Sequence, residues 1–226
     1  MKIAVLGTGM VGQALAGRLA ELGHEVTVGT RDVAATLART TPDGMGNPPY
    51  AAWAAEHPQV RLAPFADAAA GAELLVNATS GDVSIAALQA AGTDNLAGKI
   101  LIDIANPLDF SKGFPPTLFV KDTDSLGEQI QAAFPQLRVV KTLNTLTAAL
   151  MVNPKALADA DHSIFVSGND AEAKKTVTGL LESFGHTDVI DLGDISTARG
   201  TEMLLPVWLR LMGALDTPMF NFKIVR

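Results

Sequence analysis

The sequence predicts an α/β fold with a doubly wound, mostly parallel sheet, and three observations carry that expectation. Short apolar and β-branched runs alternate with helical stripes along most of the chain. The first run, Lys2-Ile3-Ala4-Val5-Leu6, stops at a glycine turn that opens a helix. A second run, Glu25-Val26-Thr27-Val28, follows that helix, so strand, turn, helix and strand fit into the roughly thirty residues of a βαβ unit.

The turn Gly7-Thr8-Gly9-Met10-Val11-Gly12 has G-x-G-x-x-G spacing. Gly7 lets the chain turn sharply, Gly9 has no side chain to hold off a pyrophosphate, and Gly12 lets the helix lie close to the strand. Val11, Leu15, Leu19 and Leu22 form the helix's apolar stripe, and Gly23 ends it. Free N–H groups and the positive dipole end of that helix bind an anion without a lysine. The expected fold is therefore Rossmann-like, with Gly7, Thr8, Gly9, Met10, Val11 and Gly12 as the dinucleotide cradle.

The end of the second strand selects the dinucleotide. An NAD site usually places Asp or Glu about twenty residues beyond the first glycine, on the ribose hydroxyls. Here Gly29 stands near that position, followed by Thr30 and Arg31. A hydroxyl and a guanidinium donate to a 2′-phosphate that a carboxylate repels, so NADP is expected. Asp32 reads as the N-cap of a helix beginning at Val33; facing the ribose instead, it would weaken the preference for NADP.

Val33 to Ala38 is a short helix. Thr40 to Pro49, with Pro42, Gly44, Gly46, Pro48 and Pro49, is a loop that reads either as a lid over the cofactor or as a variable surface insertion. Tyr50 to His57 resumes as a helix in which Trp53 packs. Val60-Arg61-Leu62 is a third strand, Phe65 to Ala70 a helix, and Leu74 to Thr79 a fourth strand; Ile100 to Ala105 and Leu137 to Lys141 follow as strands. Right-handed crossovers place ligands beyond the carboxyl ends of such strands. Asn77, Ala78, Thr79 and Ser80 stand at one end, Asn106 and Pro107 at the next, and Asn144 and Thr145 at a third. Each alone also reads as a turn or cap residue.

Asp103, between Ile102 and Ile104, is read as a structural acid bonding neighbouring loop backbone rather than as a general base. Lys141 reads either as a contact for an anionic substrate or as a strand-end charge in water.

The C-terminal third continues with a strand His162 to Ser167, a helix Ala171 to Phe184, a strand Thr187 to Leu192 and a long apolar helix from about Ala198 to Leu215. Met203, Leu205, Trp208, Leu211 and Leu215 cover more than one face of that helix, which implies burial by its own sheet or by a second chain; a homodimer is expected. Arg199 and Glu202, three apart, read as a surface pair. Phe220 to Arg226 alternates as an edge strand or a pocket wall would. The chain is one domain, 1–226, with a dinucleotide-binding core over 1–150 and an α/β extension over 151–226.

Composition narrows the function. Of 226 residues 48% are apolar and 18% charged, enough for a real core. The net charge of -7, without a Lys/Arg cluster, argues against nucleic acid. There is no cysteine, so neither thiol chemistry nor cysteine-held metal enters, and the four histidines lack metal-ligand spacing. The longest apolar stretch, Met203 to Leu215, contains Pro206 and Arg210 and falls short of the roughly twenty residues of a membrane span. A cytoplasmic protein without membrane or metal is expected.

Gly7 to Gly12, Gly23-His24-Glu25-Val26 and Val28-Gly29-Thr30-Arg31 together resemble the NADP-dependent oxidoreductases of the coenzyme F420 family. Val76 to Thr79, Leu101 to Leu108, Val139 to Thr145, and Ser196 to Arg199 with Glu202 extend the likeness over most of the chain. The resemblance implies hydride transfer between NADP(H) and the deazaflavin coenzyme F420, with both rings at the strand ends and Thr79, Asn106 and Asn144 positioning them. Such a transfer needs positioning more than a catalytic triad. Alternatives are an NADPH-dependent reductase of a flavin, ferric chelate or small carbonyl, and a non-catalytic NADP-sensing module.

Overall fold

A computed structural model describes residues 1–42 and 46–226. Gly44 of the predicted loop lies outside the described residues; 46–49 carry no regular structure. The chain runs β1 (Lys2–Leu6), α1 (Met10–Glu21), β2 (Glu25–Thr30), α2 (Val33–Ala38), α3 (Tyr50–Glu56), β3 (Arg61–Pro64), α4 (Phe65–Ala70) and β4 (Leu74–Asn77). It continues with α5 (Ser84–Ala91), α6 (Thr93–Leu96), β5 (Ile100–Asp103), a hairpin of β6 (Leu108–Asp109) and β7 (Thr117–Leu118), α7 (Leu126–Ala133) and β8 (Arg138–Thr142). The last third adds α8 (Ala148–Val152), β9 (Ser163–Ser167), α9 (Ala171–Phe184), β10 (Asp188–Gly193), α10 (Ala198–Met203) and α11 (Leu205–Leu215).

The strands form a sheet in the order β10-β9-β8-β5-β4-β1-β2-β3, parallel except where β9 runs against β8. Alternate side chains of each strand enter different layers, as period-two geometry requires. Ile3, Val5, Val76, Ile102 and Val140 pack with α1, α8 and α9. Ala4, Leu6, Leu75, Leu101 and Val139 pack with α4, α5 and α7 on the opposite face. Helices therefore cover both faces, the arrangement expected of parallel strands that are apolar on both sides.

The register sets the site. Asn77 pairs with Asp103, and Asp103 with Lys141, so one row crosses the carboxyl ends of β4, β5 and β8.

The C-terminal third departs from expectation in two places. The long apolar helix is interrupted at Leu204, because Pro206 has no N–H to give to the carbonyl four residues back. Within α11 only Leu205 and Leu209 are buried, while Val207 and Leu215 are exposed. The segment Phe220 to Arg226 is not an edge strand. It crosses the start of β9, where Ser163 N–H donates to Phe222 O at 2.9 Å and Asn221 Nδ2 to Ser163 O at 3.0 Å.

Candidate active site

The glycine turn is built from close approaches. Gly7 has φ +122°, and a Cβ there would lie 2.5 Å from Ala78 O at the end of β4. A Cβ on Gly12 would lie 2.2 Å from Gly7 O, so α1 starts almost in contact with the turn. Gly9 differs: nothing lies within 4 Å of its added Cβ. Gly9 is also the N-cap of α1, with no side chain capping it, and the first helical bond is Gln13 N–H to Gly9 O at 2.9 Å. Gln13 Nε2 ties down Thr8 O at 2.9 Å. The first-turn N–H groups thus face open space over a residue without a side chain, which fits a pyrophosphate.

At the end of β2, Asp32 is the N-cap of α2, its Oδ1 accepting from Ala35 N–H at 2.9 Å. Thr30 departs from its expected role. It is buried, and its hydroxyl lies 2.8 Å from Thr36 Oγ1. Thr36 donates its own hydroxyl proton to Asp32 O at 2.7 Å, so Thr30 is the donor to Thr36 and has no proton left for a 2′-phosphate. Arg31 is exposed and has no partner among the described residues.

The ends of β4, β5 and β8 lie side by side and are bonded to each other. Asn106 Nδ2 donates to Asn144 O, and Asn144 Nδ2 to Asn106 Oδ1, each at 2.9 Å. Leu143, at φ +59°, holds a left-handed backbone that a leucine rarely adopts, and it precedes the residue making that pair. Asn144 also donates to Thr201 O at 3.1 Å. Thr79 Oγ1 donates to Asn77 Oδ1 at 2.7 Å and lies 3.0 Å from Ser84 Oγ. Gly81 closes the gap between ends, since its Cβ would sit 2.0 Å from Asn106 O. Thr79, Asn106 and Asn144 are thereby brought into one bonded wall; Ala78 and Ser80 flank it beyond β4, with Pro107 buried behind Asn106.

Beneath the wall lies an ion cluster. Lys141 Nζ is 2.8 Å from Asp103 Oδ2 and 2.8 Å from Glu202 Oε1, all three side chains closed to solvent, and it also donates to Ala105 O. Burial alone would lower the lysine's pKa, but the two carboxylates and their hydrogen bonds outweigh it and hold it above its ordinary value. Lys141 is therefore neither a substrate contact nor a charge in water. Asp103 is a structural acid, bonding Ala105 N–H at 3.3 Å and Asn77 Nδ2 at 2.8 Å.

Glu202 is not part of a surface pair. Its carboxylate accepts from Leu126 and Gly127 N–H at 2.8 and 3.0 Å, at the N-terminus of α7, while Arg199 pairs with Glu128 on that helix. The spacing of Arg199 and Glu202 suggested a surface pair, and nothing local to Glu202 pointed to its partners on α7 and β8. Ser84 carried no local signal either.

A cavity of about 450 Å³ on the flank of α1, lined by Arg18, Trp53, His57 and Asn153 among others, shares no residue with the strand ends. Among the described residues no cluster of His, Asp or Glu is arranged to hold a metal, and no helix is long and apolar enough to cross a membrane.

Sheet order, glycine turn and strand-end wall define a Rossmann-type α/β protein of the nucleotide-dependent kind. Residues 2–107 match the family described as NADP oxidoreductase, coenzyme F420-dependent. A crystal structure of a candidate F420-dependent NADP-reductase from Arthrobacter sp. FB24 is 68% identical, covers 100% of both chains and superposes with a TM-score of 0.97. The chain belongs to this family of NADP-dependent oxidoreductases.

The F420-dependent NADP reductase of Methanothermobacter marburgensis is 28% identical over 219 residues, 93% of this chain and 92% of that one. Metalloreductase STEAP3 of Rattus norvegicus is 28% identical over 212 residues, 92% of this chain; the match spans 38% of the rat protein's length.

Proposed function

We propose that this chain transfers a hydride between NADP(H) and the deazaflavin coenzyme F420. The carrying observation is the open space over Gly9 at the uncapped start of α1. Gly7, Thr8, Gly9, Met10, Val11 and Gly12 hold the pyrophosphate on backbone N–H groups, and Arg31 takes the 2′-phosphate. Ala78, Thr79, Ser80 and Asn106 line the nicotinamide end, backed by the buried Asn77 and Pro107, with Asn144 locking Asn106 in place. When bound, NADPH supplies a hydride from C4 of its nicotinamide. The strand-end residues contribute position: their amides and hydroxyls are fixed by mutual hydrogen bonds, so two flat rings meet a wall that does not reorganise.

The β6–β7 hairpin follows Asn106 and Pro107 directly and leaves Phe110, Phe114 and Phe119 exposed, and Val83, in the turn after β4, is exposed as well. Apolar surface beside a crevice suits a flat aromatic acceptor. The likeness to F420-dependent NADP reductases over nearly the whole chain supports the deazaflavin. A second reading, reduction of a ferric chelate or flavin by NADPH, is favoured by the match to a metalloreductase over 92% of this chain. The exposed residues Val207 and Leu215 of α11 support a homodimer, and a cysteine-free chain suits the cytoplasm.

The test is oxidation of NADPH at 340 nm by the purified protein with coenzyme F420, with a flavin, with a ferric chelate, or with none. Turnover with the deazaflavin alone is expected. Turnover only with another acceptor replaces the first reading by the second, and tight binding without turnover points to an NADP-sensing module.

A further inference from the structure

The ion cluster under the strand ends does not balance its charge. Asp103 Oδ1 accepts from Asn77 Nδ2 and Ala105 N–H, and its Oδ2 from Lys141. Glu202 Oε1 accepts from Gly127 N–H and Lys141, and its Oε2 from Leu126 N–H. Every one of these partners is a donor. A protonated carboxyl needs an acceptor for its proton, and neither carboxyl has one, so both are ionised. Two carboxylates against one ammonium leave one negative charge in a site closed to solvent, with the N-terminal N–H groups of α7 facing Glu202.

The place of this charge matters more than its existence. Asn77, Asp103 and Lys141 stand in one register row across β4, β5 and β8, the strands whose ends carry Thr79, Asn106 and Asn144. Glu202 and its neighbour Thr201 bring α10 against both the row and Asn144. Transfer of a hydride with its electron pair to the acceptor turns a neutral reduced nicotinamide into a cation. A fixed anion beneath the crevice stabilises that cation and does nothing comparable for the neutral ring.

We propose that Asp103, Lys141 and Glu202 form an electrostatic positioning group whose surplus negative charge makes the site prefer oxidised over reduced nicotinamide, and so sets bound NADPH to give up its hydride. The proposal rests on the NADP(H) site described above. A unit charge acting over about 10 Å, at an effective dielectric of about 20 to 40, changes a binding ratio about four- to fifteenfold.

The experiment is titration of NADP+ and of NADPH, separately, into the wild-type protein and into E202Q, D103N and K141M. Both carboxamide variants neutralise the surplus, and the ratio of the NADP+ to the NADPH dissociation constant is expected to rise about four- to fifteenfold in each. K141M removes the countercharge and replaces neither carboxylate, so the ratio is expected not to rise. A structural role alone would disturb K141M at least as much as the others. An unchanged ratio in E202Q and D103N, or an equal rise in K141M, overturns the proposal. Either carboxamide variant decides the matter if K141M does not fold. Failure of the wild type to bind either nucleotide would instead remove the NADP reading itself.

Discussion

The hydroxyl of Thr30 donates to Thr36 Oγ1 across 2.8 Å, which turns the last side chain of β2 inward and leaves Arg31 as the outward donor at that strand end. Recognition of a 2′-phosphate then falls on one exposed guanidinium. Arg31→Ala removes a charge-assisted contact worth about 1.5–3 kcal/mol. NADPH affinity, measured by fluorescence titration, is expected to fall roughly ten- to a hundredfold while NADH is nearly unaffected. Thr30→Val should leave the NADPH to NADH ratio where it is. Equal losses of both nucleotides in Arg31→Ala would disprove the assignment.

Gly9 and Gly12 belong to one motif but have different physical reasons to be glycine, and substitution separates them. A Cβ on Gly12 would be 2.2 Å from Gly7 O, so Gly12→Ala must push α1 off the turn, at a cost of about 1–3 kcal/mol or more. Gly9 has φ -76° and open space around its Cβ, so Gly9→Ala folds with stability unchanged within about 0.5 kcal/mol. Its methyl group instead occupies the pyrophosphate's approach, and NADPH binding should weaken roughly tenfold or more. Thermal melts beside titrations distinguish the two. A Gly9→Ala protein that binds normally would remove the cradle from this turn.

Lys141 touches two buried carboxylates, so its loss strands both. Lys141→Met is expected to cost about 3–5 kcal/mol, the range for breaking a buried pair from one side. In a chain of this size that lowers Tm by roughly 6–20 °C. Arg199→Ala removes a partly exposed partner of Glu128 and should cost about 1 kcal/mol or less. Calorimetry showing equal effects for the two would mean that the Lys141 site opens to water.

Much of this site could be read from the residues because its logic is local. Gly7 to Gly12, the alternation of Ile3 and Val5 with Ala4 and Leu6, and the N-cap at Asp32 all lie within a few positions of what they determine. The isolated acid in an apolar strand was equally legible, and Asp103 is structural as its flanks imply. What stayed hidden depends on long-range partners. Nothing near Lys141 says that it will meet Glu202, and nothing near Thr30 says that Thr36 will claim its proton. The break at Leu204 had a local cause in Pro206, but hydropathy carried the helical pattern straight through it. The β6–β7 hairpin and the helices α5 to α8 lie in stretches whose patterns are short and mixed.

The last prediction concerns acid stability. His186 is buried beside Phe184 and Gly185; its Nε2 lies 3.0 Å from Met151 O and its Nδ1 has no partner among the described residues. Burial, with a smaller contribution from nearby His162, pushes its pKa down from 6.5 to about 4. The folded protein therefore keeps the ring neutral in a range where the unfolded chain protonates it. Between those values the unfolded state binds more protons, so stability is full above about pH 6.5, declines as the pH falls, and stops declining near pH 4. Integrated over that window the loss is about 3 kcal/mol. Urea unfolding of the wild type at several values between pH 4 and 7 should show it, and His186→Gln should flatten that part of the profile while lowering stability at neutral pH. A variant with the same acid slope as the wild type would place the titrating group elsewhere.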